Sequence, residues 1–313
     1  MKYSGIGGQA VLEGVMMKNG ADYAVAVRRP DGEIECKKDH KEGILQRHPA
    51  LDKPLIRGSL ILVDSMVLGI DTLNYSASFY DEEDPAPSKE KESSLPIAFA
   101  VAASLLLVIG LFILLPSFLS QLLGRVVSSR PVLAVFEALI RIALFVGYVA
   151  AISLMKDIRR VFMYHGAEHK CINCVEHGLP LTVENAAKSS RFHKRCGTSF
   201  MIGVMILSAV FFMFLQFDSI LLRLVTRLIL IPVIAGISYE FLRLAGSGDS
   251  VLTNILSRPG LWMQRLTTRE PDSDMLEVAI TSVEAVFDWK AYLKENFGED
   301  AVSACEGPSC PGL

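Results

Sequence analysis

Long apolar blocks separated by charged stretches organise this chain. Four of them are long enough to cross about 30 Å of hydrocarbon as helix, which takes roughly 20 apolar residues. Pro96 to Leu115 carries no charge, and Pro131 to Met155 is interrupted by Glu137 and Arg141. Phe200 to Phe217 is uncharged, and Ile220 to Leu242 holds Arg223, Arg227 and Glu240. Pro96 and Pro131 stand where a first-turn proline is tolerated, because the missing N–H has no helical partner there. Only Asp218 and Ser219 separate the last two blocks, which predicts a tight antiparallel hairpin of helices. A further apolar block, Leu55 to Tyr75, contains Arg57, Asp64 and Asp71. The two aspartates are seven positions apart and share one helical face, so this block reads as an interfacial or partly re-entrant helix.

Basic residues set the expected orientation. The segment between the second and third blocks carries Lys156, Arg159, Arg160, Lys170, Lys188, Arg191, Lys194 and Arg195, against only Arg125 and Arg130 between the first and second. The excess of Lys and Arg on cytoplasmic loops places the larger segment and both termini inside, in a multi-pass protein of the plasma (inner) membrane. Charge inside the second and fourth blocks reads as structural pairing: Glu137 and Arg141 are four apart, and Arg223 and Arg227 can snorkel to the interface.

The other segments follow different periods. Tyr23 to Lys37 alternates around a Pro30-Asp31-Gly32 turn and predicts a β-hairpin. Gly5 to Gly14 is glycine-rich and then apolar; it lacks the Gly-Lys-Ser/Thr ending of a phosphate loop and reads as a strand with close backbone packing. Asp81 to Ser94 is an acidic linker, Gly246 to Asp249 a break, and Trp262 fits the headgroup level. In Pro271 to Phe287, Leu276, Ile280, Val283 and Phe287 recur on one helical face. The tail from Cys305 to Leu313 reads as disordered, with Cys305 and Cys310 outside any ligand set.

The expected fold is therefore mainly α: a polytopic helical membrane protein with a small N-terminal β-hairpin region and a cytoplasmic metal-site loop. It divides into an N-terminal segment (1–54), an interfacial helix (55–80), a linker (81–95), helices one and two (96–155), the His/Glu/Cys loop (156–199), a helical hairpin (200–242) and a C-terminal segment (243–313). Mean hydropathy of +0.37 beside 21% charged residues agrees with an apolar excess confined to blocks. A net charge of −3 leaves no basic footprint for nucleic acid. Met1 to Leu12 holds no long apolar run, so no cleaved signal peptide is expected. The six cysteines read as reduced thiols or metal ligands rather than disulfides.

The chemistry concentrates between Tyr164 and Ser199. His165, Glu168 and His169 stand at i, i+3 and i+4, so two imidazoles and a carboxylate share one helical face. This is the His-x-x-Glu-His order in which two histidines hold zinc and the carboxylate takes a proton from water. Cys171-x-x-Cys174 and His193-x-x-Cys196 follow, with residue types and spacings that suit zinc. Two arrangements compete. One is an open site of His165 and His169 completed by His193, Cys196, Glu176 or Glu184; the other is a closed structural site of Cys171, Cys174, His193 and Cys196. A third possibility leaves these groups as helix-end and surface residues without a metal. Thr182 reads as a helix cap, with Glu184 in the first turn compensating the dipole.

Several stretches together resemble the YqhQ-like family of bacterial membrane proteins over nearly the whole chain. They are Gly7 to Met17, Arg57-Gly-Ser-Leu to Leu73-Asn-Tyr-Ser, Tyr164-His-Gly-Ala-Glu-His-Lys170, Leu181-Thr-Val-Glu-Asn185, His193-x-Arg-Cys-Gly-Thr-Ser-Phe200 and Thr267-Thr-Arg-Glu-Pro271. The family reads His-Pro-Arg-Cys where this chain has His193-Lys194-Arg195-Cys196, which leaves both candidate ligands in place. The resemblance implies the membrane architecture and, by a label attached to the family, a metal-dependent enzyme. The residues and the resemblance lead to one expectation: a zinc-dependent hydrolase with Glu168 as general base, acting at the cytoplasmic face on membrane proteins or lipid-linked molecules. A non-catalytic scaffold with a structural zinc is the alternative, and a transporter using Glu137, Arg141 and Glu240 a third. Oligomeric state is not legible.

Overall fold

The computed structural model describes residues 2–80 and 106–299, apart from 216, 218–219, 247 and 249, together with positions 99, 103, 104 and 301. The acidic linker, the Asp218-Ser219 link, the Arg223 side chain and the Cys305–Leu313 tail lie outside the described residues.

The N-terminal segment is a four-stranded antiparallel meander rather than a single hairpin: β1 (Gly7–Val11), β2 (Gly14–Asn19), β3 (Asp22–Arg28) and β4 (Ile34–His40). The hairpin read at Tyr23 to Lys37 is its β3–β4 half, and the glycine-rich stretch is β1. Strand β2 escaped the pattern because both faces of the sheet are covered, so its apolar residues do not alternate with polar ones. Val15, Met17, Ala24 and Ala26 face one core, while Val11, Met16, Val25 and Val27 face a second with Leu68. Strand β4 is a charged edge whose exposed Lys37, Lys38 and Asp39 discourage further pairing.

Helix α1 (Ile56–Ala77) fills the predicted interfacial block. Its two aspartates share a face as expected: Asp64 accepts from the Ile44 amide and Asp71 from Lys41 Nζ. Among the described residues four helices have the length and apolarity to cross a membrane: α2 (Leu106–Leu123), α3 (Arg130–Ile152), α6 (Gly197–Phe214) and α7 (Ile220–Ala245). Helix α2 runs eight residues past the expected end at Leu115. A π turn at Gly110–Leu114 precedes Pro116, which has no N–H to offer the Phe112 carbonyl; Arg141 Nε donates there instead at 3.0 Å.

The segment expected as a loop is mostly helix. Helix α4 (Lys156–Glu176) and the short α5 (Val183–Lys188) occupy it, and from Tyr164 onward every residue of α4 except His165 is buried. The reason is the C-terminal segment, which folds back. Helix α8 (Val251–Thr267) packs on α6, and α9 (Ser273–Val286) covers α4 and the sheet, ahead of α10 (Trp289–Phe297). The α9 stripe is wider than the expected Leu276–Ile280–Val283–Phe287 line: Met275, Leu276, Val278, Ala279, Val283 and Val286 are buried, with Ile280 and Phe287 at the rim.

Helices α1 and α7 meet by backbone approach. A Cβ added to Gly236 would lie 1.9 Å from the Leu55 carbonyl oxygen, and one on Gly58 2.5 Å from Tyr239 Cβ. Arg57 Nε donates to Glu240 at 2.6 Å and its Nη2 at 2.5 Å across the same contact. Gly236→Val should therefore force the helices apart, lowering stability in detergent by about 1–3 kcal/mol. Gly203→Ala, where nothing lies within 4 Å, serves as control and should melt like the parent chain. Equal melting of Gly236→Val and the parent would refute this contact.

Candidate metal centre

From Tyr164 onward helix α4 is enclosed, yet that half carries Glu168, His169, Lys170, Asn173 and Glu176. Buried polar groups need hydrogen-bond partners, and Lys170, Asn173 and His169 find theirs in the backbone of one segment. Lys170 Nζ donates to the carbonyls of Ala187 (2.8 Å) and Ser189 (2.9 Å). Asn173 Nδ2 donates to those of Ser190 (2.6 Å) and Phe192 (3.0 Å), and His169 Nδ1 to that of Arg191 (2.7 Å). Glu176 accepts from Arg195 and from Ser4, through its amide and its hydroxyl. The polar face of α4 thus lays out residues 187–195 and delivers Cys196, at the N-terminus of α6, over the first histidine turn.

There three ligand atoms converge. One atom from each of His165, His169 and Cys196 lies within 4.8 Å of the other two, and His165 Nε2 is 3.1 Å from Cys196 Sγ. Each imidazole has its Nδ1 committed to a backbone carbonyl, His165 to Thr267 at 2.8 Å and His169 to Arg191. That leaves both Nε2 atoms to face the thiol, the tautomer arrangement that orients histidine ligands. Zn–N bonds of ~2.0–2.1 Å and Zn–S bonds of ~2.3 Å imply tetrahedral edges of roughly 3.3–3.6 Å. Seating such an ion would need the His165–Cys196 pair to open by a few tenths of an ångström and the other pairs to lie within the 4.8 Å spread.

Electrostatics agree with a ligand set. Burial disfavours the Cys196 thiolate, but His165 and His169 outweigh it and hold the thiol well below its ordinary range. Burial likewise opposes charge on His165, and the facing Cys196 overcomes it, raising the imidazole to about 9. Burial pushes the Glu168 carboxyl up, opposed by His169 and His165 and by the Gly8 amide. Glu168 is 5% exposed, and Gly8 passes so close that an added Cβ would lie 3.1 Å from its carboxyl carbon.

The other expected ligands lie elsewhere. His193 is buried with its ring centroid 5.7 Å from that of His169, but its Nε2 faces Glu176 Oε2 at 3.5 Å. Burial opposes the Glu176 carboxylate, and the His193, Ser4 and Arg195 contacts overcome it, lowering it to about 2. Cys171 is enclosed in the hydrophobic core, where burial raises its thiol far above the usual range. Cys174 Sγ points at the Pro180 carbonyl (3.3 Å), and burial raises its pKa to about 11. The closed Cys171/Cys174/His193/Cys196 set is therefore not assembled. Thr182 caps α5 through the Asn185 amide as expected, and Glu184 is an exposed partner of Lys188 at 2.6 Å.

The residues that sequence reasoning missed stand on α8 and the strap after it. Gln264 is fully buried; its Oε1 accepts from the His193 amide (2.8 Å) and its Nε2 donates to the His193 carbonyl (2.7 Å) and Ser199 Oγ (3.0 Å). Arg191 donates to the Thr268 carbonyl at 2.6 Å, and Glu270 pairs with both Lys170 (3.0 Å) and Arg191 (3.2 Å). A signal was present. Thr253, Ser257, Gly260, Gln264 and Thr267 recur at helical spacing as a small and polar stripe, and all five are buried, on a helix whose Arg258 and Arg265 lie on other faces.

A mainly helical protein with four helices of membrane-crossing length, a four-stranded sheet and a His/His/Cys cluster beneath them is the class these features define. The chain belongs to the family described as proteins of unknown function (DUF1385), whose model matches residues 53–289. It is 37% identical over 300 residues to the uncharacterized protein YqhQ of Bacillus subtilis (strain 168), an alignment covering 93% of this chain and 94% of that one. No solved structure matches. Neither description speaks of a metal or a reaction, so the metal-dependent enzyme label implied by the resemblance gains no support from them.

Gly166, inside the histidine motif, is required by the strap: an added Cβ would lie 2.0 Å from the Arg269 carbonyl oxygen. Gly166→Ala should displace the Thr267 carbonyl from His165, lower thermal stability and, under a zinc reading of the cluster, weaken zinc uptake at least about tenfold. Unchanged zinc affinity, measured by competition with a chromophoric chelator, would show that the strap does not orient His165.

Proposed function

We propose that the protein is a zinc-dependent hydrolase of the plasma membrane, with its centre at the cytoplasmic face. The observation that carries this reading is the convergence of two Nδ1-anchored imidazoles and one thiolate beside a buried carboxylate. His165, His169 and Cys196 supply three ligands, the number that catalytic sites use while keeping a fourth position open. A zinc ion there would polarise a substrate carbonyl or phosphoryl and bring the pKa of water toward 7. Glu168, desolvated and raised in pKa, accepts the water proton and returns it to the leaving group, so that one water is added across the broken bond. The Gly8 amide holds that carboxylate in place. His193 and Glu176 support the loop rather than the ion.

Surroundings favour a membrane-borne substrate. Helix α1 exposes Val63, Met66, Val67, Ile70 and Leu73 along one side, a surface that suits the lipid interface. The cluster lies at the foot of α6, so substrates that are membrane proteins or lipid-linked molecules meet it at the bilayer surface. Transport through Glu137, Arg141 and Glu240 gains no support, because Glu240 is engaged by Arg57 and Glu137 by arginines of other turns. The scaffold reading keeps one supporting observation. Helix α4, the 191–196 segment and the Thr267–Thr268 strap meet at the cluster, where an ion would staple them.

Glu168→Gln separates the two. Under the hydrolase reading it should keep fold and zinc content near one per chain while lowering function in cells by roughly 100- to 10,000-fold, and His169→Ala should lose zinc and function together. Full complementation by Glu168→Gln would exclude the base role and leave the staple. The orientation is checked separately by accessibility labelling. A cysteine placed in the exposed Lys37–Asp39 edge should react with a membrane-impermeant maleimide only after cells are opened, and reaction in intact cells would reverse the topology.

A further inference from the structure

A second polar site lies inside the helix bundle, away from the metal cluster. Glu137 of α3 is 9% exposed, and its Oε1 accepts from Arg141 Nη2 (2.7 Å), from Arg227 Nη2 of α7 (2.8 Å) and from Ser117 Oγ of α2 (3.1 Å). One carboxylate thus meets two guanidinium groups. Each guanidinium carries five N–H donors. Among the described residues, Arg141 uses two, on Glu137 and the Phe112 carbonyl, and Arg227 uses one, with its plane 4.9 Å from the Phe212 ring centroid. Against these groups lies a cavity of about 180 Å³, whose lining adds Arg130, Ser120 and Gln121 to Glu137, Arg141 and Arg227. Leaving Arg130 aside, since it has a partner of its own, Arg141 and Arg227 still outnumber Glu137 by one charge among the described residues.

A net positive charge among apolar helices is costly unless an anion accompanies it. The donors that remain on Arg141 and Arg227 are planar forks from two helices, the arrangement suited to an oxyanion with several oxygens. We propose that this cavity binds a phosphate group. Its place in the bundle separates it from the metal centre. Glu137 is two turns into α3, and at ~1.5 Å rise per residue it stands roughly 22 Å of helix from Ile152, the end that leads into α4. The site thus serves the opposite half of the bundle and owes nothing to the hydrolase reading. Arg130 marks the mouth at the start of α3, the depth at which a lipid phosphate or a soluble phosphate could enter.

The test uses the purified full-length chain in mild detergent, with bound lipid counted by native mass spectrometry and melting followed in parallel. Phosphatidylglycerol, phosphatidylcholine and inorganic phosphate are the probes. The parent chain should retain phosphatidylglycerol over phosphatidylcholine and melt higher with it. Arg227→Gln should weaken that binding at least about tenfold, and Glu137→Gln should tighten it, since the repelling carboxylate is gone. Inorganic phosphate that stabilises the chain and displaces the lipid would assign the site to a soluble phosphate. Phosphate without effect beside retained phosphatidylglycerol would assign it to a lipid headgroup. No stabilisation by phosphatidylglycerol or by inorganic phosphate overturns the proposal, as does binding indifferent to Arg227→Gln. Should Arg227→Gln not fold, Glu137→Gln decides by its opposite sign: unchanged or weaker binding overturns the site.

Discussion

The burial of helix α4 is the constraint on which the rest of this structure depends. A polar side chain taken out of water without a partner costs about 1–3 kcal/mol, and more if charged. Five such side chains lie in the buried part of α4. They cannot all turn to solvent, because the sheet, α5 and α9 enclose the helix. The chain meets the requirement by running residues 187–195 across the helix as a strip of carbonyls and cations. The strip ends at Cys196, so the candidate metal centre is a consequence of satisfying α4. His165 and His169 are held by the same means, each through a backbone carbonyl that fixes its free nitrogen.

That arrangement is closed from the other side by α8 and the strap. Gln264 pairs with both polar groups of the His193 backbone, as a neighbouring strand would. The strap passes so near α4 that only glycine fits at 166. Sheet, helix and strap therefore approach the cluster at three glycine-sized or backbone-only contacts: Gly8 against Glu168, Gly166 against Arg269, and Gly260 against Ser199. A site built of close backbone approaches is stiff, and stiffness is what a preorganised ligand set requires.

Within the apolar helices, polar groups act as fasteners between helices. Arg57 joins α1 to α7 through Glu240, and Arg141 joins α3 to α2 by supplying the donor that Pro116 lacks. Arg227, which the sequence would send outward to the interface, turns inward to Glu137 because a buried carboxylate attracts it more strongly in an apolar setting than water does at the surface.

Reading the sequence alone determined the features that local periodicity and residue type control. The four apolar helices, the β3–β4 hairpin, the Thr182 cap, the Glu137–Arg141 pair and the shared face of His165, Glu168 and His169 were all legible, because each is decided within a few residues. Tertiary structure alone decided which candidates meet. Cys171 and Cys174 have ligand chemistry and ligand spacing, yet they stand on the faces of α4 that enter the hydrophobic core and the 179–180 turn. Cys196, 27 residues beyond His169, is the one that arrives, and Gln264 and Thr267 hold the pieces from farther still. A helical period tells which residues of one helix share a face. It carries no information on what that face meets, because the partner is set by how segments hundreds of residues apart fill a common core.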